Sequence, residues 1–124
     1  MPNQEKFPEV FNALKMIIKV YEGEMNLATD NEKTYYLDTK FIQKNKKPLF
    51  FGAVTSKKNY VSFHLMPVYV EPKLLNGISD GLKKRMQGKS CFNFQAVDEG
   101  LFEELKTLAE KGYQFYKKEG YLET

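Results

Sequence analysis

Asn59-Tyr60-Val61-Ser62-Phe63-His64-Leu65-Met66-Pro67 carries two chemistries in alternation. Val61, Phe63 and Leu65 interleave with Tyr60, Ser62 and His64, the period-two pattern of a strand with one buried and one open face. Pro67 has no amide to donate and ends the ladder. The same alternation returns further on, where Ser90, Phe92 and Phe94 oppose Cys91, Asn93 and Gln95. With the apolar phases turned to a common core, Val61, Phe63, Leu65, Phe92 and Phe94 form one sheet surface. Tyr60, Ser62, His64, Cys91, Asn93 and Gln95 then form the opposite one.

Working outward, residues 34–41 and 48–55 read as two further strands joined by short polar pieces, which indicates an antiparallel meander. Leu49, Phe50, Phe51, Ala53 and Val54 are apolar on both sides, as in a central strand. Residues 24–33 lose periodicity, collect Asn, Asp and Thr, and read as a loop.

Phe7, Val10, Phe11, Leu14, Ile17, Ile18 and Tyr21 recur at helical spacing, with Pro8 in the first turn and Gly23 placed for a left-handed cap. A second helical segment runs from Pro72 through Leu74, Leu75, Ile78 and Leu82 to Met86, shortened or bent by Gly77 and Gly81 and closed by Gly88. Asp98 is placed to cap a last helix with Leu101, Leu105, Leu108, Gly112 and Phe115 along one stripe. The order α-β-β-β-α-β-α predicts an α+β fold, an antiparallel sheet of four or more strands with its helices on one face. Residues 1–124 should form a single domain.

Nineteen basic against 16 acidic residues leave a net charge of +3, which favours solubility and does not imply a polyanionic partner. No apolar run approaches the roughly 20 residues of a membrane helix, and Met1-Pro2-Asn3-Gln4-Glu5 lacks the order of a signal peptide. A lone Cys91 agrees with a reducing compartment, so the expected location is the cytoplasm. No cofactor is called for.

Asn59 to Tyr69, together with Leu82-Lys83-Lys84-Arg85-Met86-Gln87-Gly88-Lys89-Ser90-Cys91-Phe92-Asn93-Phe94, resembles the YdhG-like domain family, small bacterial α+β proteins most of which carry no assigned activity. The likeness extends to the first helix and to Tyr35-Tyr36-Leu37. It implies a sheet with helices on one side. Some members of the wider family are described as frataxin-like iron chaperones, which implies metal handling as an alternative function. Glu5, Glu9 and Asp30 would then gather into an iron-binding ridge, against the simpler reading of a solvated acidic surface.

Gly88-Lys89-Ser90 imitates the end of a phosphate-binding loop, yet Lys83 stands where that motif needs Gly, and the triplet runs from helix into strand. A Gly cap opening a strand is the simpler account, with Lys89 and Ser90 retained as a weak anion site. His64 and Cys91 share the open face by phase and are too few for a closed metal site. They would serve a thiol enzyme if they met as nucleophile and base, and are otherwise a hydrogen-bonded His and an inert small Cys.

Lys44-Asn45-Lys46-Lys47, Lys57-Lys58 and Lys83-Lys84-Arg85 sit at turns or a helix end, where lysines keep sheet edges soluble. Tyr60 and Tyr69 beside them fall short of a nucleic-acid platform. The reading that remains is a non-enzymatic binding module, monomeric or homodimeric, with no assigned catalytic residue. It would hold a small molecule or a protein partner around Tyr60, Ser62, His64, Lys89, Ser90, Cys91 and Asn93.

Overall fold

A computed structural model of the chain describes residues 4–122; Met1 to Asn3, read above for a leader, lie outside them. Helix α1 spans Phe7–Lys19 with Pro8 in its first turn, and every member of the stripe from Phe7 to Tyr21 is buried. The helix ends at Lys19 with Val20 as its C-cap, so Gly23 is not its left-handed cap but lies in a 3-10 turn, Glu22–Glu24. Strands β1 (Asn26–Asp30), β2 (Thr34–Ile42), β3 (Pro48–Ser56) and β4 (Val61–Leu65) follow. The connection after β4 holds helix α2 (Met66–Val70), a 3-10 turn Pro72–Leu75 and helix α3 (Asp80–Lys83). Strands β5 (Met86–Gln87) and β6 (Cys91–Phe94) lead to helix α4 (Glu99–Lys118).

The sheet is six-stranded, in the order β1-β2-β3-β4-β6-β5, and every pair in it is antiparallel. The fold is therefore α+β, as expected, with β3 and β4 in its interior. Two corrections concern the edges. Residues 26–30, expected as loop, are an edge strand held by β2 and by a turn in which the Asn31 side-chain oxygen accepts from the amides of Lys33 and Thr34, both at 2.9 Å. The expected helix from Pro72 to Met86 is broken at Gly77, whose φ of 93° no helix accommodates, and Met86 and Gln87 form the opposite edge.

Helices α1 and α4 pack on one face of the sheet, over Val61, Phe63, Leu65, Phe92 and Phe94, all of which are buried. The Asp98 carboxylate caps α4 by accepting from the Leu101 amide at 3.0 Å. Tyrosines tie the layer together: the hydroxyl of Tyr21 donates to Glu110 at 2.8 Å, that of Tyr35 to Glu22 at 2.6 Å, and that of Tyr113 to Glu24.

One irregularity matters for the site. Leu37 pairs with Gly52 but Asp38 pairs with Phe50, so Phe51 is an extra residue, a β-bulge. Phe51 turns into the core, edge-on to Tyr21 at 5.5 Å and to Tyr116 at 5.9 Å, while Phe50 turns to the open face. Two buried hydroxyls serve the carbonyls around the bulge: Tyr116 donates to Phe50 at 2.9 Å and Thr39 to Leu49 at 2.8 Å.

Two stability predictions follow from this packing. Tyr116→Phe keeps the ring and strands the Phe50 carbonyl, so it should cost about 1–3 kcal/mol in denaturant unfolding. Gly112→Ala in a helix ordinarily gains up to about 1 kcal/mol. Here the added Cβ would lie 2.8 Å from Pro67 Cβ, a rigid neighbour, and the sign should reverse to a loss of about 1–2 kcal/mol. A neutral or stabilised variant in the same measurement contradicts the packing described.

Candidate functional site

The open face is organised by register into two rows. In one, Tyr36, Ala53, His64 and Cys91 lie side by side across β2, β3, β4 and β6. In the next, Thr34, Thr55, Ser62 and Asn93 do the same. The phases expected for β4 and β6 hold, and they bring His64 opposite Cys91 and Ser62 opposite Asn93.

Ala53 is small, and rings close over its row from both sides. Phe50 stacks on Tyr36 with centroids 4.5 Å apart and meets the His64 imidazole edge-on at 4.8 Å. Ala53 is buried as a result, while the three rings stay half-buried. Asp38, two residues after Tyr36 on the same strand, flanks the row, and burial raises its carboxyl above the usual range. Burial, with Asp38 nearby, likewise raises the Tyr36 hydroxyl.

His64 Nε2 lies 2.7 Å from the Ser90 hydroxyl. Ser90 stands in the turn just before β6 and is buried, so its hydroxyl reaches the imidazole although the strand phase assigns it to the helix side. Burial holds the imidazole below the ordinary histidine range, and the Lys57 ammonium adds to the effect. The ring is therefore neutral at neutral pH.

Tyr60 and Asn93 meet at the Gln87 side chain, whose Oε1 accepts from the Tyr60 hydroxyl at 3.4 Å and from Asn93 Nδ2 at 2.7 Å. Asn93 Oδ1 is buried and has no donor among the described residues.

Strand phase thus placed Tyr60, Ser62, His64, Cys91 and Asn93 on one face, where Ser62 is buried, and put Ser90 on the other, although the Ser90 hydroxyl reaches His64. Lys89 departs from the open face: its ammonium lies over the Tyr69 ring, 5.9 Å from the centroid, while Ser90 turns to His64. The two do not converge as an anion site. Tyr36, Phe50 and Gln87 were missed. The alternation of Tyr35 and Leu37 with Tyr36 and Asp38 signals the first, and nothing local signals the other two.

Chemically, the face offers half-covered aromatic carbon, amide, hydroxyl and imidazole donors and acceptors beside the Asp38 carboxyl, and one buried amide oxygen unserved among the described residues. His64 Nε2 is taken by Ser90, and no hydrogen bond joins the imidazole to the Cys91 thiol, so a nucleophile and base pair is not assembled. Asp30, one member of the expected acidic ridge, is paired with Lys15 at 3.0 Å. Among the described residues no three His, Cys, Asp or Glu side chains are grouped to hold a metal ion, and no helix is long and apolar enough to cross a membrane.

Fold and face together define an open-faced α+β sheet domain. No family model, curated protein or solved structure matches the chain.

His64 gives this face a pH signature. A histidine depressed in the folded state contributes stability that is complete above the unfolded value of about 6.5 and is lost as pH falls through the folded value. Chemical denaturation between about pH 7.5 and 5.5 should show stability falling, and His64→Gln should remove that part of the slope. An unchanged slope in the variant contradicts the buried, neutral imidazole.

Proposed function

We propose that this protein is a non-catalytic binding module that holds a small, planar, uncharged ligand on the open sheet face, within a fold of the YdhG-like kind. The observation that carries the reading is Asn93 Oδ1, buried without a donor one row away from the Tyr36, Phe50 and His64 rings. Buried acceptors are nearly always served, and a ligand N–H or O–H would serve this one. The adjoining rings supply apolar area for a flat body, and the absence of charge on His64 favours a neutral molecule over an anion. Heteroaromatic amides and nucleobase-like compounds combine these features. The metal-handling alternative has less support, because its ridge residue Asp30 is occupied by Lys15. The thiol-enzyme alternative has less support, because His64 Nε2 is engaged by Ser90 and no hydrogen bond joins the imidazole to the Cys91 thiol.

A thermal-shift screen of neutral heteroaromatic metabolites should find compounds that stabilise the parent chain saturably. Asn93→Leu and His64→Ala should each weaken binding by about ten-fold, the scale of one lost hydrogen bond to a desolvated group. Equal shifts in parent and variants, or no saturable shift from any compound, overturns the proposal.

A further inference from the structure

Away from the open face, three distant segments direct apolar side chains into one hollow of about 580 Å³. Phe41 and Leu49 come from the facing ends of β2 and β3, Val70 from the last residue of α2, and Tyr121 from the chain just beyond α4. Tyr121 is brought there by Gly120, whose φ of 80° reverses the chain so that the Tyr121 amide bonds back to the Tyr116 carbonyl at 2.9 Å. Its ring rests on Phe41 at 5.2 Å and on Tyr116 at 5.5 Å.

The rim is the β2–β3 turn, and its polar groups are unequal. Gln43 and Asn45 are spent inside the turn: the Gln43 amide nitrogen donates to the Lys47 and Pro48 carbonyls at 3.4 and 3.3 Å, and the Asn45 oxygen accepts from the Lys47 amide at 2.9 Å. Lys44 lines the hollow, is exposed, and has no carboxylate partner among the described residues. Lys46 and Lys47 on the same turn add positive charge.

We infer that this hollow is a binding site for an acyl carboxylate, its chain on Phe41, Leu49, Val70 and Tyr121 and its head on the Lys44 ammonium. Volume falls within the range of small-molecule sites, and an open apolar trough whose lip holds a lysine with no carboxylate partner among the described residues matches an anionic amphiphile. A purely apolar ligand would leave Lys44 unused. A cationic one would be repelled by the turn. Val70 is 40% exposed, so the trough leaves apolar surface uncovered that such a chain would bury.

The test uses decanoate on the full chain, below its micelle-forming concentration, by isothermal titration. One saturable site is expected. Lys44→Glu, an exposed change that leaves the core untouched, should weaken it by about ten-fold or more, the scale of one charge-assisted hydrogen bond. Val70→Asp should remove measurable binding, and decylammonium should bind far more weakly than decanoate. Asn93→Leu should leave decanoate affinity unchanged, which separates this site from the open face. The inference is overturned if decylammonium binds equally well, if Lys44→Glu and Val70→Asp bind like the parent, if no saturable binding is seen, or if Asn93→Leu abolishes it.

Discussion

The bulge at Phe51 is the constraint on which the remaining architecture depends. A regular β3 would alternate Phe50 and Phe51 in step with Gly52 and Val54, which face α1, and would send Phe51 to the open side. One inserted residue reverses this, so Phe51 enters the core against Tyr21 and Tyr116 while Phe50 meets Tyr36 and His64. The disturbed ladder leaves carbonyls in need of donors inside the protein, where an unserved one costs about 1–3 kcal/mol. The hydroxyls of Tyr116 and Thr39 answer that need, which explains a fully buried Thr among apolar neighbours. The hydroxyl oxygen of Thr39 also accepts from the Phe41 amide at 3.3 Å, so one side chain stitches both strands.

Small residues set how closely the layers approach. Gly52 lets α1 settle onto β3: a Cβ there would stand 3.6 Å from Ile18 and 3.1 Å from the His64 carbonyl. Gly112 lets α4 meet Pro67. On the other side Ala53 leaves room for rings from neighbouring strands to lean together, and that self-packing limits how much apolar carbon an open face presents to water. The open face can therefore be aromatic without being a large exposed patch.

How much of this was legible follows from where the information lies. Alternation in Val61 to Leu65 and in Cys91 to Phe94 is local, and it set the two faces; that His64 lies opposite Cys91 depends on strand order and register, which alternation does not carry. The edge strand Asn26–Asp30 was illegible because its residues are largely exposed and its stability comes from backbone pairing with β2, which leaves no hydrophobic rhythm to read. The segment from Pro72 to Met86 has helical spacing, but a positive φ at Gly77 outweighs it. Phe50 was read only as part of a strand apolar on both sides, since a bulge is a property of pairing between strands. Ser90 was misassigned for a related reason: strand phase holds inside a ladder and fails in the turn that feeds it.

The open face and the apolar hollow are built from the same hairpin, one on each side of it. Beyond the bulge, β2 and β3 carry Phe41 and Leu49 to the hollow; at the bulge they carry Tyr36 and Phe50 to the open face. Tyr116 touches both. Its hydroxyl holds the Phe50 carbonyl, its ring packs on Phe51, and its other neighbour is Tyr121, a wall of the hollow. Because this side chain is fully buried, it cannot shift without disturbing one of these contacts, so α4 acts as a post that sets the shape of both surfaces. The helix layer is thus more than a cover for the sheet: through a single hydroxyl it serves the Phe50 carbonyl beside the bulge.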